Sequence, residues 1–223
     1  MEKKRVRAWI ERVGIVPVIR AASPEQALAA AEAVRAGGIS VVEVTMTVPG
    51  ALGAIERLAS RQDGELLVGA GTVLDAAAAR QCRDAGAQFL VSPGFDAAVV
   101  QLARESDVLM VAGALTPTEI IAAWRAGADF VKVFPCGAVG GANYIKSLKG
   151  PLPQIDLIPT GGVNLKTAAD YIRAGAAALG VGGELIPAAA LAGGDAAAIT
   201  ARAAEFVMAV RQAREAAAAG GGN

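Results

Sequence analysis

The sequence predicts a single-domain (β/α)8 TIM barrel. Short β-branched runs alternate with alanine-rich, helix-forming runs along the chain. The starts of the β-branched runs recur every roughly 19 to 26 residues, the spacing of one strand plus one helix in a compact βα unit. Eight such units fill the 223 residues, a length at which α/β barrels commonly form one domain.

In chain order, the start MEKKRVRAWIERVG is charged and has no long apolar core, so it reads as an N-terminal helix rather than a leader. The expected strands are Ile15–Arg20, Val41–Thr45, Leu66–Thr72, Phe89–Pro93, Val108–Ala112, Phe130–Pro135, Asp156–Thr160 and Ala178–Gly182. Ser23-Pro24-Glu25-Gln26 and Thr116-Pro117-Thr118-Glu119 each offer an N-cap, a proline at the first helical position and a capping-box partner. Gly37, Gly86, Gly127 and Gly175 each follow a helix and precede an even-numbered strand, so each is expected in the left-handed conformation that closes a helix. That recurrence over two βα units favours a closed barrel over an open sheet. Residues 1–215 are expected to form the barrel with its N-terminal helix, and 216–223, AAAAGGGN, a flexible tail.

Composition excludes several classes of function. Hydrophobic residues make up 54% and charged residues 19%, enough for a sizeable core and too apolar for disorder. The 21 basic and 21 acidic side chains cancel, leaving no basic footprint for nucleic acid. There is no histidine, so Ser-His-Asp and Cys-His triads and His-ligated metal sites are excluded. Cys82 and Cys136 are too few for a disulfide framework and lack metal-ligand spacing. Together with the lack of an apolar span of about 20 residues, these features lead us to expect a cytoplasmic protein with no nucleic-acid or membrane partner.

Acid–base or nucleophilic chemistry must then use other side chains, sought at the C-terminal ends of the strands, where barrels carry their reactive face. In Phe130-Val131-Lys132-Val133-Phe134, period-two alternation puts Phe130, Lys132 and Phe134 on one face and the valines on the other. The valines suit the helix-facing side, so Lys132 is expected inside the barrel. Burial favours the neutral, nucleophilic form of an amine, although an ion-paired or snorkelling lysine would fit the same position. Glu43, between valines in the second strand, is a candidate proton shuttle or the carboxylate of a structural ion pair. Arg20 can hold a substrate carboxylate or sit on a surface loop. Thr72 follows small residues that let a ligand approach, or simply ends a strand. Glycine pairs follow the seventh strand (Gly161, Gly162) and the eighth (Gly182, Gly183), where barrels frequently cradle phosphate on bare N–H groups.

These residues stand in segments that closely resemble the bacterial 2-keto-3-deoxy-6-phosphogluconate (KDPG) and 4-hydroxy-2-oxoglutarate (KHG) aldolases. The landmarks are GIVPVIR, VVEVTMTVPGA, VGAGTVLD, VSPG, LTPTE, FVKVFP and PTGGVN, running in that order between about Val13 and Ala209. The resemblance implies a metal-free class I aldolase, a lyase of carbohydrate metabolism without cofactor and usually a homotrimer. It implies that Lys132 forms the Schiff base and Glu43 shuttles protons. It further implies that Thr72, Pro93, Phe134, Gly161 and Gly162 contact substrate.

Two departures from the family pattern matter. Some members carry an arginine just after the EVT segment for the pyruvyl carboxylate; here that stretch is Met46-Thr47-Val48, which leaves Arg20, with Thr47, to take the carboxylate. Some members have a serine at the phosphate end where this chain has Glu184, so either Glu184 turns away or unphosphorylated substrates are tolerated. The expected reaction is cleavage of KDPG to pyruvate and glyceraldehyde 3-phosphate, with KHG cleavage to pyruvate and glyoxylate as a further activity. The rivals are a phosphate-binding isomerase or synthase barrel with no covalent intermediate, and a catalytically silent barrel serving as an oligomeric assembly scaffold.

Overall fold

A computed structural model describes residues 1–61 and 64–220. Helix α1 (Lys3–Val13) leads into β1 (Ile15–Ile19), α2 (Pro24–Ala36), β2 (Val41–Thr45), α3 (Ala51–Ala59), β3 (Leu67–Gly71), α4 (Ala76–Asp84) and β4 (Phe89–Val91). The second half runs α5 (Ala97–Glu105), β5 (Leu109–Ala114), α6 (Pro117–Ala126), β6 (Phe130–Val133), a 3-10 turn (Cys136–Val139), α7 (Ala142–Lys149), β7 (Leu157–Pro159), α8 (Ala168–Arg173), β8 (Leu179–Val181), α9 (Ala188–Ala192) and α10 (Ala196–Gly220). All eight expected strands form, with their ends within two residues of the expected ones.

The strands are parallel in the order β7-β6-β5-β4-β3-β2-β1-β8. Between β7 and β8 the barrel is closed by the bridge Thr160–Gly180 and by the Ala177 N–H, which donates to the Leu157 carbonyl at 2.9 Å. Strand alternation divides the core in two. Val42, Val44, Val131 and Val133 point outward into the layer between sheet and helices. Val16, Val41, Leu67, Phe89, Leu109, Phe130 and Ile158 fill the barrel interior. Val6 and Ile10 of α1, one helical turn apart, pack onto that inner cluster and close the N-terminal end of the barrel. Arg7 holds the same helix in place: its guanidinium lies 4.6 Å from the Phe130 ring, donates to the Asp129 carbonyl at 2.9 Å and pairs with Asp156.

Two local expectations need correction. Gly86, Gly127 and Gly175 have φ of 94°, 105° and 96°, but Gly37 has φ −80° and its neighbour Gly38 takes the left-handed role at 95°. Gly37 is required for a different reason: a Cβ there would lie 2.5 Å from the Ala203 Cβ of α10, so its lack of a side chain lets that helix dock. At the start of α2, Ser23 caps the Gln26 N–H, but Gln26 Oε1 accepts from Ala22 N rather than from the cap residue. Of these two helix starts, the one at Thr116 and Glu119 forms the full capping box. The terminal helix runs on through alanines, the best helix formers, to Gly220; of the segment 216–223, residues 221–223 lie outside the described residues.

Candidate active site

Above the apolar floor the interior changes character. Glu43 on β2 and Lys132 on β6 are 2% and 4% exposed, and both come from even-numbered strands, which contribute to common layers of a barrel. Lys132 Nζ lies 4.0 Å from Glu43 Oε1, and that oxygen has no hydrogen-bond partner. Lys132 Nζ also sits 5.4 Å from the centroid of the Phe134 ring.

Glycines on the neighbouring strands border this pair, and one of them makes room for Glu43. Glu43 is in register with Gly69, and Lys132 with Gly113. A Cβ on Gly71 would fall 1.8 Å from Glu43 Oε1, so only glycine there lets the carboxylate occupy its place. A Cβ on Gly113 would strike the Pro93 backbone at 2.2 Å, so that glycine admits the strand-four loop to the barrel mouth. Buried Ser92 helps hold the loop by accepting from Gly113 N at 3.2 Å. Buried Thr45 donates to the Ile19 carbonyl at 3.0 Å and lies 2.7 Å from the Thr47 hydroxyl, tying the ends of β1 and β2 together.

A buried ion pair of this kind contributes little net stability, because desolvating both charges offsets their attraction. Breaking one typically costs about 3–5 kcal/mol, because the remaining charge is stranded. A loosely spaced pair with one carboxylate oxygen unbonded is therefore a poor stabilising device. It suits a group that must attack or exchange protons.

The second part of the site is a small cavity of about 130 Å³ beside the last strands. Arg20, Phe134, Gly161, Gly162, Gly182 and Gly183 all line it, together with Thr160 and Glu184. Gly161 and Gly162 have φ of 82° and 81°, a backbone that side-chain-bearing residues rarely adopt. The Arg20 guanidinium leans over the strand-eight loop, 3.2 Å from where a Gly182 Cβ would stand. Phe134 thus borders both the Lys132 amine and the glycine-lined cavity.

Thr47, Thr72 and Pro93 stand at the ends of β2, β3 and β4, outside that cavity. Thr72 has φ 57°, a left-handed conformation for a β-branched residue that marks backbone strain beside the site. Cys136 is buried, and desolvation pushes its thiol up to about 11 despite an opposing hydrogen bond with Tyr171, so it behaves as a small core residue. Sequence reasoning passed over the roles of Thr160, which is buried and lines the cavity, and of Gly71 and Gly113. The last two carried a usable signal: each is a glycine at an inward position beside a strand that bears a charge.

Residues 6–202 match the aldolase family described as KDPG and KHG aldolase. The chain is 38% identical over 194 residues to 2-dehydro-3-deoxy-phosphogluconate aldolase from Treponema pallidum, spanning 86% of this chain and 91% of that protein. Among solved structures, it resembles KDPG aldolase from Legionella pneumophila, captured with pyruvate at low pH as a covalent carbinolamine intermediate. That match has a TM-score of 0.83 at 32% identity and covers 90% of this chain and 97% of the other. It also resembles a chain of a cube-shaped, porous protein cage designed by fusing symmetric oligomeric domains, with a TM-score of 0.85 at 32% identity over 92% of this chain and 74% of that one.

Proposed function

The chain belongs to the KDPG and KHG aldolase family and is a lyase, and from that premise we propose that it cleaves KDPG to pyruvate and glyceraldehyde 3-phosphate through an imine on Lys132. Cleavage of KHG to pyruvate and glyoxylate belongs to the same proposal. The observation that carries the reading is the buried, facing pair of Lys132 and Glu43 with an unbonded carboxylate oxygen.

The Lys132 amine attacks the C2 ketone, and the resulting carbinolamine takes up a proton and loses water to leave a protonated imine. The C3–C4 bond then breaks, its electron pair moving into the imine to give an enamine. Glu43 takes the C4 hydroxyl proton as the aldehyde forms and departs. A proton returned to C3 regenerates the imine, and hydrolysis releases pyruvate and the free lysine. Thr47, Thr72 and Pro93 border the pyruvyl end, while Arg20, Gly161, Gly162, Gly182 and Gly183 hold the far end of the substrate. Phe134 separates the two. This reading assigns Arg20 to the distal group rather than to the carboxylate, and its place in the lining of the glycine cavity supports that. Both Lys132 and Glu43 are retained, and this favours a working enzyme over a silent scaffold.

Incubation with pyruvate and borohydride, followed by intact mass and peptide mapping, tests the reading. A reduced pyruvyl adduct on Lys132 is expected; a folded protein that gives no adduct overturns it. We further propose a homotrimer, supported by the family resemblance and by the likeness to a chain of a cage built from symmetric oligomeric domains, to be checked by sedimentation. A cytoplasmic setting is consistent with two buried, unpaired cysteines. Among the described residues no helix is long and apolar enough to cross a membrane.

A further inference from the structure

The cavity between the last strands holds one cationic and one anionic side chain, and the mechanism above uses only the cation. Arg20 and Glu184 both line it, and both side chains are exposed at its mouth. Among the described residues neither is engaged in an ion pair. The rest of the lining is apolar side chain, the Thr160 hydroxyl and glycine backbone. A carboxylate therefore stands at the wall of a cavity of about 130 Å³, in company with the Arg20 guanidinium, the Thr160 hydroxyl and glycine backbone.

We propose that Glu184 is a specificity-determining residue for the distal end of the substrate, lowering the preference for a phosphate terminus and admitting an uncharged hydroxyl terminus. This rests on the aldolase reading and concerns only the part of the substrate far from Lys132. A phosphate carries close to two negative charges at neutral pH. It gains Arg20 and the glycine N–H groups but meets the Glu184 carboxylate across the same small volume. A terminal hydroxyl meets no such opposition: it can donate to Glu184 and accept from a glycine N–H, satisfying both. Because Glu184 is exposed, solvent and salt screen the repulsion, which sets its scale at about tenfold rather than thousands.

The test measures kcat/KM for KDPG and for unphosphorylated 2-keto-3-deoxygluconate in the unaltered protein, Glu184→Gln and Glu184→Ser. The expected result is a rise in the KDPG-to-unphosphorylated ratio on the order of tenfold in both variants, carried mainly by KM for KDPG and shrinking at high salt. The use of a ratio within each protein removes differences in folded fraction. A ratio that moves by less than about twofold in both variants, or that falls, overturns the proposal. Borohydride trapping of pyruvate by the unaltered protein reads the Lys132 chemistry alone, since pyruvate has no distal end. Failure there is thus distinguishable from failure of the Glu184 assignment.

Discussion

The two halves of the barrel interior are built from the same eight strands yet differ in kind. The lower half is a plug of Val16, Val41, Leu67, Phe89, Leu109, Phe130 and Ile158, sealed by Val6 and Ile10 of α1. One inward position higher on β2 and β6 the side chains are Glu43 and Lys132, and glycines flank them at positions 69, 71 and 113. The lower half buries large apolar groups, and burial of that kind is where stability comes from. The upper half gives up that packing to hold two charges and open space. A single step along a strand therefore separates residues whose loss should unfold the protein from residues whose loss should silence it.

The sharpest way to break this division is to remove the lysine. Lys132→Ala is expected to lower kcat/KM for KDPG cleavage on the order of 10⁴-fold or more, with the circular dichroism spectrum retained. Full activity in this variant would remove the imine mechanism altogether. Glu43→Gln should cost about 10²–10⁴-fold, chiefly in kcat, with the borohydride adduct on Lys132 still detectable. Gly71→Ala probes the same carboxylate without touching its chemistry. Its new Cβ would stand 1.8 Å from Glu43 Oε1, so the carboxylate must move. A displacement of that size lowers kcat on the order of 10²-fold, with an overpacking penalty of about 1–3 kcal/mol seen in thermal or denaturant unfolding.

The converse experiment works on the floor. Ile10 is fully buried at the closed end of the barrel. Ile10→Ala should destabilise the protein by about 2–5 kcal/mol in a denaturant titration. Its folded fraction should keep kcat within about twofold, since α1 lies at the end of the barrel opposite the loops that carry the site. A large fall in kcat without a fall in stability would mean that the two halves are mechanically coupled.

Much of this division is legible in the amino-acid sequence. Strand positions follow from β-branched runs, and the inward orientation of Lys132 and Glu43 follows from their alternation with valines, which the outer core confirms. Contacts between elements distant in sequence are not legible there. Nothing local distinguishes Gly37, which α10 approaches from far along the chain, from Gly86, which simply closes a helix with φ 94°. Nor does strand periodicity tell which end of a substrate Arg20 would face, because β1 ends at Ile19 and the direction of the side chain is set by the loop beyond it. Gly71 can be picked out as an inward glycine beside a charged strand, but the closeness of its fit to Glu43 shows only once the two strands are set in register.

The smallest effect concerns a residue on the upper face that does structural work. Thr116 caps α6 in the loop after β5, on the same side of the barrel as the site. Its hydroxyl accepts from Glu119 N at 3.4 Å, while Glu119 Oε2 accepts from Thr116 N and Leu115 N, both at 2.8 Å. Thr116→Ala should cost about 1 kcal/mol of stability and leave kcat unchanged. The backbone N–H groups of Thr116 and Leu115 hold the Glu119 carboxyl below its ordinary range. A carboxylate whose folded value is depressed contributes stability that is present above its unfolded value and lost as pH falls through the folded one. The stability gap between the unaltered protein and Glu119→Ala should therefore be widest near neutrality and narrow as the pH drops below about 4. Glu119 is almost fully exposed, so the gap is small throughout, and a gap that widened in acid would show that the carboxylate is not held by those N–H groups. Position on the reactive face is thus not enough to make a residue functional: Thr116 and Glu119 satisfy backbone donors, whereas Glu43 leaves an oxygen unbonded beside an amine.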